Sequence, residues 1–263
     1  MVFFFSSVRF TGGYIYDIIT KTVYRRNAIN MERIDKIISE QTYYTRKEIK
    51  KLISKGIVYV NGEQVKKPET KYDETNISIN INGEEIEVKK HVYLLLNKPK
   101  GYVSTTEDDS QNTVLDLVPE KYKNRNIFPA GRLDKDTTGL MLITDDGEFA
   151  HNILSPRKHV KKEYEVTLDI PVTEDVVKGF KEGVNLNDGE CKSAVLEITG
   201  EYTAKVVITE GRYHQIKRMF GCFGAKVVNL ERIAMGNFQL PNDLKQGECR
   251  ELTEKEIEEI NKR

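Results

Sequence analysis

Length, composition and charge set the broad class of the protein. The chain has 263 residues, of which 38% are hydrophobic, 31% charged and 9% aromatic. At about 150 residues per domain this length predicts two domains, and the composition excludes collagen-like, coiled-coil and wholly disordered chains. Basic and acidic residues both number 41, so the zero net charge indicates no class of partner. No apolar run approaches the roughly 20 residues that a membrane-spanning helix needs, which excludes an integral membrane protein.

The spacing of cysteine and histidine predicts neither a disulfide framework nor a metal site. The three cysteines lie far apart, their number is odd, and the chain has no C-x-x-C pair. The four histidines are scattered without the spacing of metal ligands. We therefore expect a cytoplasmic protein in a reducing environment that binds no metal ion.

The first thirty residues differ from those that follow. The run MVFFFSSVRF has no basic residue ahead of its short apolar segment and no small-x-small cleavage site after it. An amphipathic pattern begins directly after Met31. We expect residues 1–30 to be a disordered leader or not native, with Met31 as the functional start. The alternative is a weak membrane-targeting segment.

Residues 31–80 are predicted to form a small module of helix, helix and hairpin. A capping box formed by Thr45 and Glu48 opens the second helix, whose apolar residues recur at i, i+3 and i+4. That helix ends at Gly56, and a short strand follows. The pair Asn61-Gly62 then favours a type I′ hairpin turn.

This module is basic although the whole chain is neutral. Between Arg33 and Lys71, ten basic residues stand against five acidic ones, a net charge of +5. Part of this charge follows i, i+4 rows opposite the apolar stripe of the second helix, at Arg46, Lys47, Lys50 and Lys51. Such rows can track RNA phosphates, whereas charge alone would describe a solvated helix face equally well.

The segments R-I-D-K-I-I-S, T-R-K-E-I-K-K-L-I and G-x-V-x-V-N-G resemble an S4 RNA-binding domain. The resemblance covers nearly the whole module. It implies that the helices grip folded RNA through its backbone and shape, and it implies no chemistry.

A linker is expected at residues 81–90, which are polar and charged, with a second domain over 91–263. Strands are predicted by apolar or alternating runs at 92–96, 139–144, 164–168, 194–198 and 204–208. Helices are predicted by periodicity and capping residues at 176–180, 216–223 and from Thr253 onward. Because strands and helices do not alternate regularly, the predicted fold class is α+β.

Residues 131–140, G-R-L-D-K-D-T-T-G-L, form a glycine-bounded loop that enters a buried strand. Asp134 and Asp136 lie beside Arg132 and Lys135, cations that would keep a carboxylate ionised. An ionised aspartate on a rigid scaffold can act as a nucleophile. On the residues alone, turn formation or helix capping is the better interpretation of these aspartates.

This loop resembles the active-site motif of the RsuA/RluA class of pseudouridine synthases. Two further motifs match in the same order, Lys162-Glu163-Tyr164 and the run E-G-R-Y-H-Q-I-K-R-M at 210–219. With the S4-like module ahead, the resemblance spans residues 31–255. It implies a mixed, mainly antiparallel catalytic domain that converts uridine to pseudouridine in RNA, an isomerisation without a cofactor.

The resemblance also implies roles for individual residues. Asp134 matches the catalytic aspartate, which attacks C1′ of the ribose or supports departure of the base. Tyr164 matches the tyrosine that stacks on the target base, and Lys217 matches the basic residue paired with the aspartate. Arg132 matches the arginine that holds the flipped-out nucleotide. Further RNA contacts are expected at Ile216, His214, Gln215 and Arg218.

The identity of the RNA depends on fewer positions. Within the class, residues 155–159, 194–197 and 210–220 most resemble the RsuA group. This implies a monomer that modifies one uridine of 16S rRNA, at standard position 516, in an assembling small subunit. Synthases of 23S rRNA more often have Asn-Arg-Gln where this chain has Tyr213-His214-Gln215.

Three other functions remain as alternatives. One is a 23S rRNA synthase of the same family. Another is a non-catalytic S4-containing RNA-binding or ribosome-assembly factor. The least favoured is a glycosidase that uses Asp134 and Asp136, because two carboxylates in one tight loop would not flank a sugar from opposite sides.

Overall fold

A computed structural model describes residues 31–155 and 157–262. These residues form two compact units, one of residues 31–38 and 46–88 and the other of residues 39–45 and 89–262. The expected leader at 1–30 lies outside the described residues. Within the described ranges, no helix is long and apolar enough to cross a membrane.

The smaller unit combines two helices with short strands. Strand β1 (Met31–Arg33) pairs antiparallel with β4 (Lys71–Asp73). Helix α1 (Ile34–Gln41) begins in this unit, and α2 (Arg46–Ser54) follows it. A four-stranded antiparallel sheet has the order β3-β2-β5-β6 and contains β2 (Val58–Val60), β3 (Glu63–Gln64), β5 (Ile79–Ile81) and β6 (Glu84–Ile86).

Two Asn-Gly turns shape that sheet. Both residues of Asn61-Gly62 have positive φ angles, 50° and 81°, as a type I′ turn requires. The pair Asn82-Gly83 has φ angles of 54° and 89° and joins β5 to β6. Residues 81–86, expected to be part of a linker, therefore belong to this hairpin. The hairpin is difficult to predict from the sequence because most of its residues are polar, and Ile79 and Ile81 are the only buried side chains of β5.

The larger unit is built on one mixed sheet of nine strands. The order is β13-β14-β10-β15-β9-β7-β17, with β16 beside β15 and β8 beside β9. Every pairing in it is antiparallel except that of β9 with β15, which is parallel. The strands are β7 (Tyr93–Lys98), β8 (Phe128–Pro129), β9 (Thr138–Thr144), β10 (Lys162–Leu168), β13 (Val195–Gly200), β14 (Thr203–Ile208), β15 (Val227–Met235), β16 (Phe238–Gln239) and β17 (Cys249–Glu251).

Helices and a small hairpin complete the larger unit, and the α+β class is confirmed. The hairpin consists of β11 (Asn185–Leu186) and β12 (Gly189–Glu190). The α-helices are α3 (Gly147–Leu154), α4 (Glu174–Glu182), α5 (Gln215–Gly221) and α6 (Glu254–Asn261), and two 3₁₀ turns lie at Val114–Leu117 and Glu120–Tyr122. The capping box predicted at Thr253 and Glu256 opens α6.

The central strands are buried on both faces. Leu94 and Leu96 of β7 join the core cluster that includes α4 and α5, whereas Leu95 joins the cluster that includes α3 and α6. Strand β9 divides its side chains in the same way, with Met141 on one side and Leu142 on the other. This double burial explains why both strands are continuous apolar runs in the sequence.

Strand β15 is the longest in the structure and is absent from the sequence prediction. Its inward positions are occupied by Leu230, Arg232 and Ala234, so a charged residue interrupts the apolar half of the alternation. The strand lies between β9 and β10 at the centre of the sheet. It thus joins the two strands that lead to the motif residues.

Candidate active site

A buried lysine fixes the backbone of residues 131–137, hereafter the Asp134 loop. The Nζ atom of Lys98 donates hydrogen bonds to the carbonyl oxygens of Asp134 at 3.1 Å, Lys135 at 3.2 Å and Thr137 at 2.8 Å. It also reaches the carbonyl of Pro99 at 3.2 Å. Burial lowers the pKa of Lys98 to about 8. Lys98 therefore holds the loop in place through its backbone carbonyls.

Other contacts hold the same loop from a second side. The Ser104 hydroxyl donates to the carbonyl of Leu133 at 2.7 Å and accepts from its amide at 3.0 Å. The amide of Gly101 donates to the carbonyl of Lys135 at 2.8 Å. The loop is thus held through its backbone, which leaves the side chain of Asp134 available for chemistry.

One lysine binds both carboxylates of the loop. Lys217 Nζ lies 2.9 Å from Asp134 Oδ2 and 2.6 Å from Asp136 Oδ1. Burial lowers the pKa of Lys217, but the hydrogen bonds to Asp136 and Asp134 outweigh it and the net shift is upward. The hydrogen bond from Lys217 holds the pKa of Asp136 below its usual range. Since both carboxylates contact the same ammonium group, they do not face each other across a cleft as a glycosidase pair would.

The cation beside Asp134 comes from α5 and not from its sequence neighbours. Lys135 Nζ donates to Gln111 Oε1 at 2.9 Å, and Arg132 is exposed. His214 is the second basic group at the carboxylate, with Nε2 at 3.5 Å from Asp134 Oδ1. The sequence neighbours of Asp134, expected to supply the cation at its carboxylate, therefore do not do so, and Lys217 supplies it instead.

Two of the three predicted catalytic residues line the same cavity, and the third, Lys217, contacts Asp134 beside it. The cavity has a volume of about 540 Å³, within the usual range for small-ligand sites, and Asp134, Tyr164 and Ile216 all line it. Tyr164 on β10 and Ile216 on α5 are 7% and 4% exposed, so both also belong to the core. Arg132 and His214 line the same cavity.

Other motif residues have structural contacts. Gln215 is buried, where its Nε2 donates to Glu210 at 2.8 Å and its Oε1 accepts from the amide of Arg212 at 3.0 Å. Arg218 binds the side chain of Asp188 and the carbonyl of Tyr213. Gln215 thus braces the loop before α5, and Arg218 ties α5 to the β11–β12 hairpin. Their expected RNA contacts remain predictions.

The basic residues of the smaller unit divide into two kinds. The fully buried carboxylate of Asp35 accepts hydrogen bonds of 3.0 Å from Arg33 and Arg46. Burial raises the pKa of Asp35, but these hydrogen bonds outweigh it and the net shift is downward. Arg46 therefore links α1 and α2, while the predicted RNA-contacting lysines lie exposed on α2 at Lys47, Lys50 and Lys51.

Comparison with known families fits both units. The S4 domain model matches residues 32–76, and the RNA pseudouridylate synthase model matches residues 92–221. The chain belongs to the RNA pseudouridylate synthase family. These matches, together with relatives named ribosomal small subunit pseudouridine synthase A at about 40% identity, confirm the RsuA-type resemblance seen in the sequence, and pseudouridine synthase activity on RNA follows from membership.

Relatives of similar length support the same assignment. The synthase is 40% identical to the uncharacterized RNA pseudouridine synthase YtzG of Bacillus subtilis, over 87% of this chain and 98% of the relative. It is 41% identical to ribosomal small subunit pseudouridine synthase A of Escherichia coli K12, over 87% and 99%. The crystal structure of a pseudouridylate synthase matches with a TM-score of 0.61 at 39% identity, over 87% of this chain and 99% of the other.

Three cavity residues received no role from sequence reasoning. Tyr213 is 74% exposed and stacks on His214 with ring centroids 3.9 Å apart. Lys162 and Arg232 are buried and also line the cavity. A signal for Arg232 is present in the sequence, because it shares the inward face of an alternating strand with Leu230 and Ala234.

Proposed function

We propose that the synthase acts in the cytoplasm as a monomer and isomerises one uridine of 16S rRNA, at standard position 516. The observation that carries the proposal is the Asp134–Lys217 pair beside a cavity that also contains Tyr164. A nucleotide flipped out of the RNA would enter this cavity, because the glycosidic bond is shielded while the base is stacked.

Asp134 is the catalytic carboxylate in this proposal. It either attacks C1′ of the ribose as the C1′–N1 bond breaks or supports departure of the base without a covalent bond. In either case the electron pair of the broken bond leaves with the uracil. The base then turns and its C5 bonds to C1′, which on the covalent route breaks the bond from Asp134 to C1′. The C5 proton leaves and N1 takes up a proton. Lys217, 2.9 Å from Asp134 Oδ2, pairs with the carboxylate and fixes its orientation.

Tyr164 and Arg132 position the nucleotide in this proposal. Tyr164 supplies an aromatic face in the buried part of the cavity, suited to stacking on uracil, and a hydroxyl that can take up a proton. Arg132 is exposed on the Asp134 loop, where its charge can contact the RNA backbone and hold the flipped-out state. The exposed lysines of α2 add sequence-independent contacts to folded RNA.

The choice of 16S rRNA is supported by two observations. Relatives named ribosomal small subunit pseudouridine synthase A are 39–41% identical to this chain over nearly their whole length. The run Tyr213-His214-Gln215 also differs from the Asn-Arg-Gln expected of 23S rRNA synthases.

Tritium release from RNA labelled at C5 of uridine tests the proposal, because the C5 proton leaves during the isomerisation. We would compare 16S transcripts, 23S transcripts and assembling small subunits, each with wild type and with Asp134→Asn. Release from 16S rRNA alone, lost in the variant, is the expected result. Release from 23S rRNA alone would identify 23S rRNA as the substrate. No release from any RNA would favour an RNA-binding assembly factor.

A further inference from the structure

Two cations lie buried in the cavity without a carboxylate partner. Arg232 is 1% exposed and Lys162 is 7% exposed, and both line the cavity. Within the described part of the chain, no carboxylate oxygen lies within 4 Å of either side chain. Burial of an unpaired charge is costly, so such residues are usually kept for a ligand or for a network that compensates them.

The hydrogen bonds of these two cations leave donors unused. Arg232 Nε donates to the carbonyl of Leu140 at 2.7 Å, whereas its Nη2 has no hydrogen-bond partner among the described residues. Lys162 Nζ donates one hydrogen bond within the described residues, to the carbonyl of Val160 at 3.2 Å. The Thr137 hydroxyl, which lines the same cavity, is likewise without a partner in the described ranges. Lys98, by contrast, has four carbonyl acceptors around its ammonium group.

The sheet register places these donors beside the stacking tyrosine. Arg232 on β15 lies directly opposite Tyr164 on β10, so the two side chains project from the same face. Lys162 precedes Tyr164 by two positions on β10 and therefore shares that face as well. Since Tyr164 is proposed to stack on the base, Arg232 and Lys162 line the cavity on the same face of the sheet as the proposed base site.

We propose that Arg232, assisted by Lys162, binds the carbonyl oxygens of the flipped uracil and stabilises the negative charge of the base after the C1′–N1 bond breaks. This inference rests on the proposed function. The electron pair of the broken bond moves onto the ring and spreads over N1, O2 and O4. The charge disappears when C5 bonds to C1′; the C5 proton then leaves and N1 takes up a proton, so that the product is neutral.

The electrostatics of the cavity support this role. Burial and the nearby charge of Arg232 lower the pKa of Lys162 to about 8. An anionic base between the two cations would relieve their repulsion at the moment when the charge develops. Preorganised donors of this kind act on the transition state more than on the bound substrate.

An RNA phosphate is the competing ligand for the same cations. It fits less well, because both side chains are more than nine-tenths buried, whereas Arg132 and Tyr213 supply exposed groups at the cavity. The backbone of a bound RNA would meet those exposed residues first.

The test combines enzyme variants with single-atom changes in the substrate. Single-turnover formation of pseudouridine, or of its thio analogue, is measured by nucleoside mass spectrometry on RNA with uridine, 2-thiouridine or 4-thiouridine at the target position. The enzymes are wild type, Arg232→Gln and Lys162→Gln, with Lys161→Gln as the matched control, since Lys161 is exposed. We expect Arg232→Gln to lower the rate on uridine about 100-fold. Lys161→Gln should leave it unchanged.

The deciding result is whether the effect of an enzyme substitution depends on the oxygen-to-sulfur change in the target base. If Arg232 contacts a carbonyl, sulfur at that position slows the wild type but adds little to the loss in Arg232→Gln. Fully multiplicative effects at both positions, in both cavity variants, would overturn the inference. So would variants that weaken RNA binding and its salt dependence at unchanged single-turnover rate, since that result assigns the cations to a phosphate.

Controls distinguish an unfolded variant from a failure of the proposed function and from a failure of this inference alone. Circular dichroism and urea unfolding report whether each variant is folded, and Lys162→Gln supplies the same cycle if Arg232→Gln is not. A wild type inactive on unmodified RNA would refute the proposed function and the inference with it. An active wild type without coupling refutes the inference alone.

Discussion

Gly139 is the position where one added methyl group should damage the active site most. Strands β9 and β15 approach so closely there that a Cβ on Gly139 would lie 2.3 Å from the carbonyl oxygen of Arg232 and 2.9 Å from its nitrogen. The residue also has a φ of 96°, a conformation that costs an L-residue about 1–3 kcal/mol. Backbone atoms cannot rotate away, so the strands must separate. Overpacking of this kind lowers the free energy of unfolding by about 1–3 kcal/mol, in addition to the conformational cost.

Gly101 provides a matched control for this substitution. Its φ is 93°, nearly the same, but a Cβ there would meet nothing within 4 Å in the part of the chain that the structure describes. Gly101→Ala should therefore lower the free energy of unfolding only by the cost of the positive φ. Gly139→Ala should be less stable than Gly101→Ala by about 1–3 kcal/mol.

Urea unfolding of both variants, followed by single-turnover tritium release at low temperature, measures the difference. Because Gly139 lies opposite Arg232 and follows the Asp134 loop, we expect Gly139→Ala to lose activity even where it is folded. Gly101→Ala should keep most of its rate. Equal stability of the two variants, with full activity of Gly139→Ala, would refute the close approach of the strands.

Three further predictions concern single contacts. Lys217→Met should lower the single-turnover rate about 100-fold because Asp134 loses the cation at 2.9 Å, while Lys217→Arg restores most of it; equal rates for the two variants would contradict the pairing. The hydrogen bond from Arg250 lowers the pKa of Glu256 to about 2, so its stabilising contribution is complete above pH 4.5 and is lost as the pH falls toward 2. Glu256→Gln should remove that part of the acid dependence in unfolding measurements, and an unchanged pH profile would argue against it. Asp188→Asn should speed amide hydrogen exchange in the β11–β12 hairpin, which Arg212 and Arg218 hold through this carboxylate; unchanged exchange there would show that the ion pairs do not fix the hairpin.

The local elements of the fold were predictable because their signals lie within short windows. The Asn61-Gly62 turn, the capping box at Thr253 and the apolar run of β9 each depend on neighbouring residues alone. Strand β15 escaped prediction because its inward position 232 holds an arginine, which only the cavity accounts for. A polar residue at an inward position of an alternating pattern is thus a sign of a site.

The sequence motifs point to residues that the structure brings close together, but not to the contacts that hold them in place. Family motifs brought Asp134, Tyr164 and Lys217 to notice, and the structure places Asp134 and Lys217 in contact. The role of Lys98 depends on four carbonyl oxygens, three of them from the distant Asp134 loop, so no local pattern could reveal it. The two buried cations beside Tyr164 likewise required the register between β10 and β15.

The most direct measurement compares the two carboxylates that share Lys217. Single-turnover tritium release from 16S rRNA should vanish in Asp134→Asn, because only Asp134 lines the cavity. Asp136→Asn, whose side chain is 69% exposed, should retain most of the wild-type rate. Release by Asp134→Asn at the wild-type rate, or its loss in Asp136→Asn alone, would contradict the assignment of Asp134 as the catalytic carboxylate.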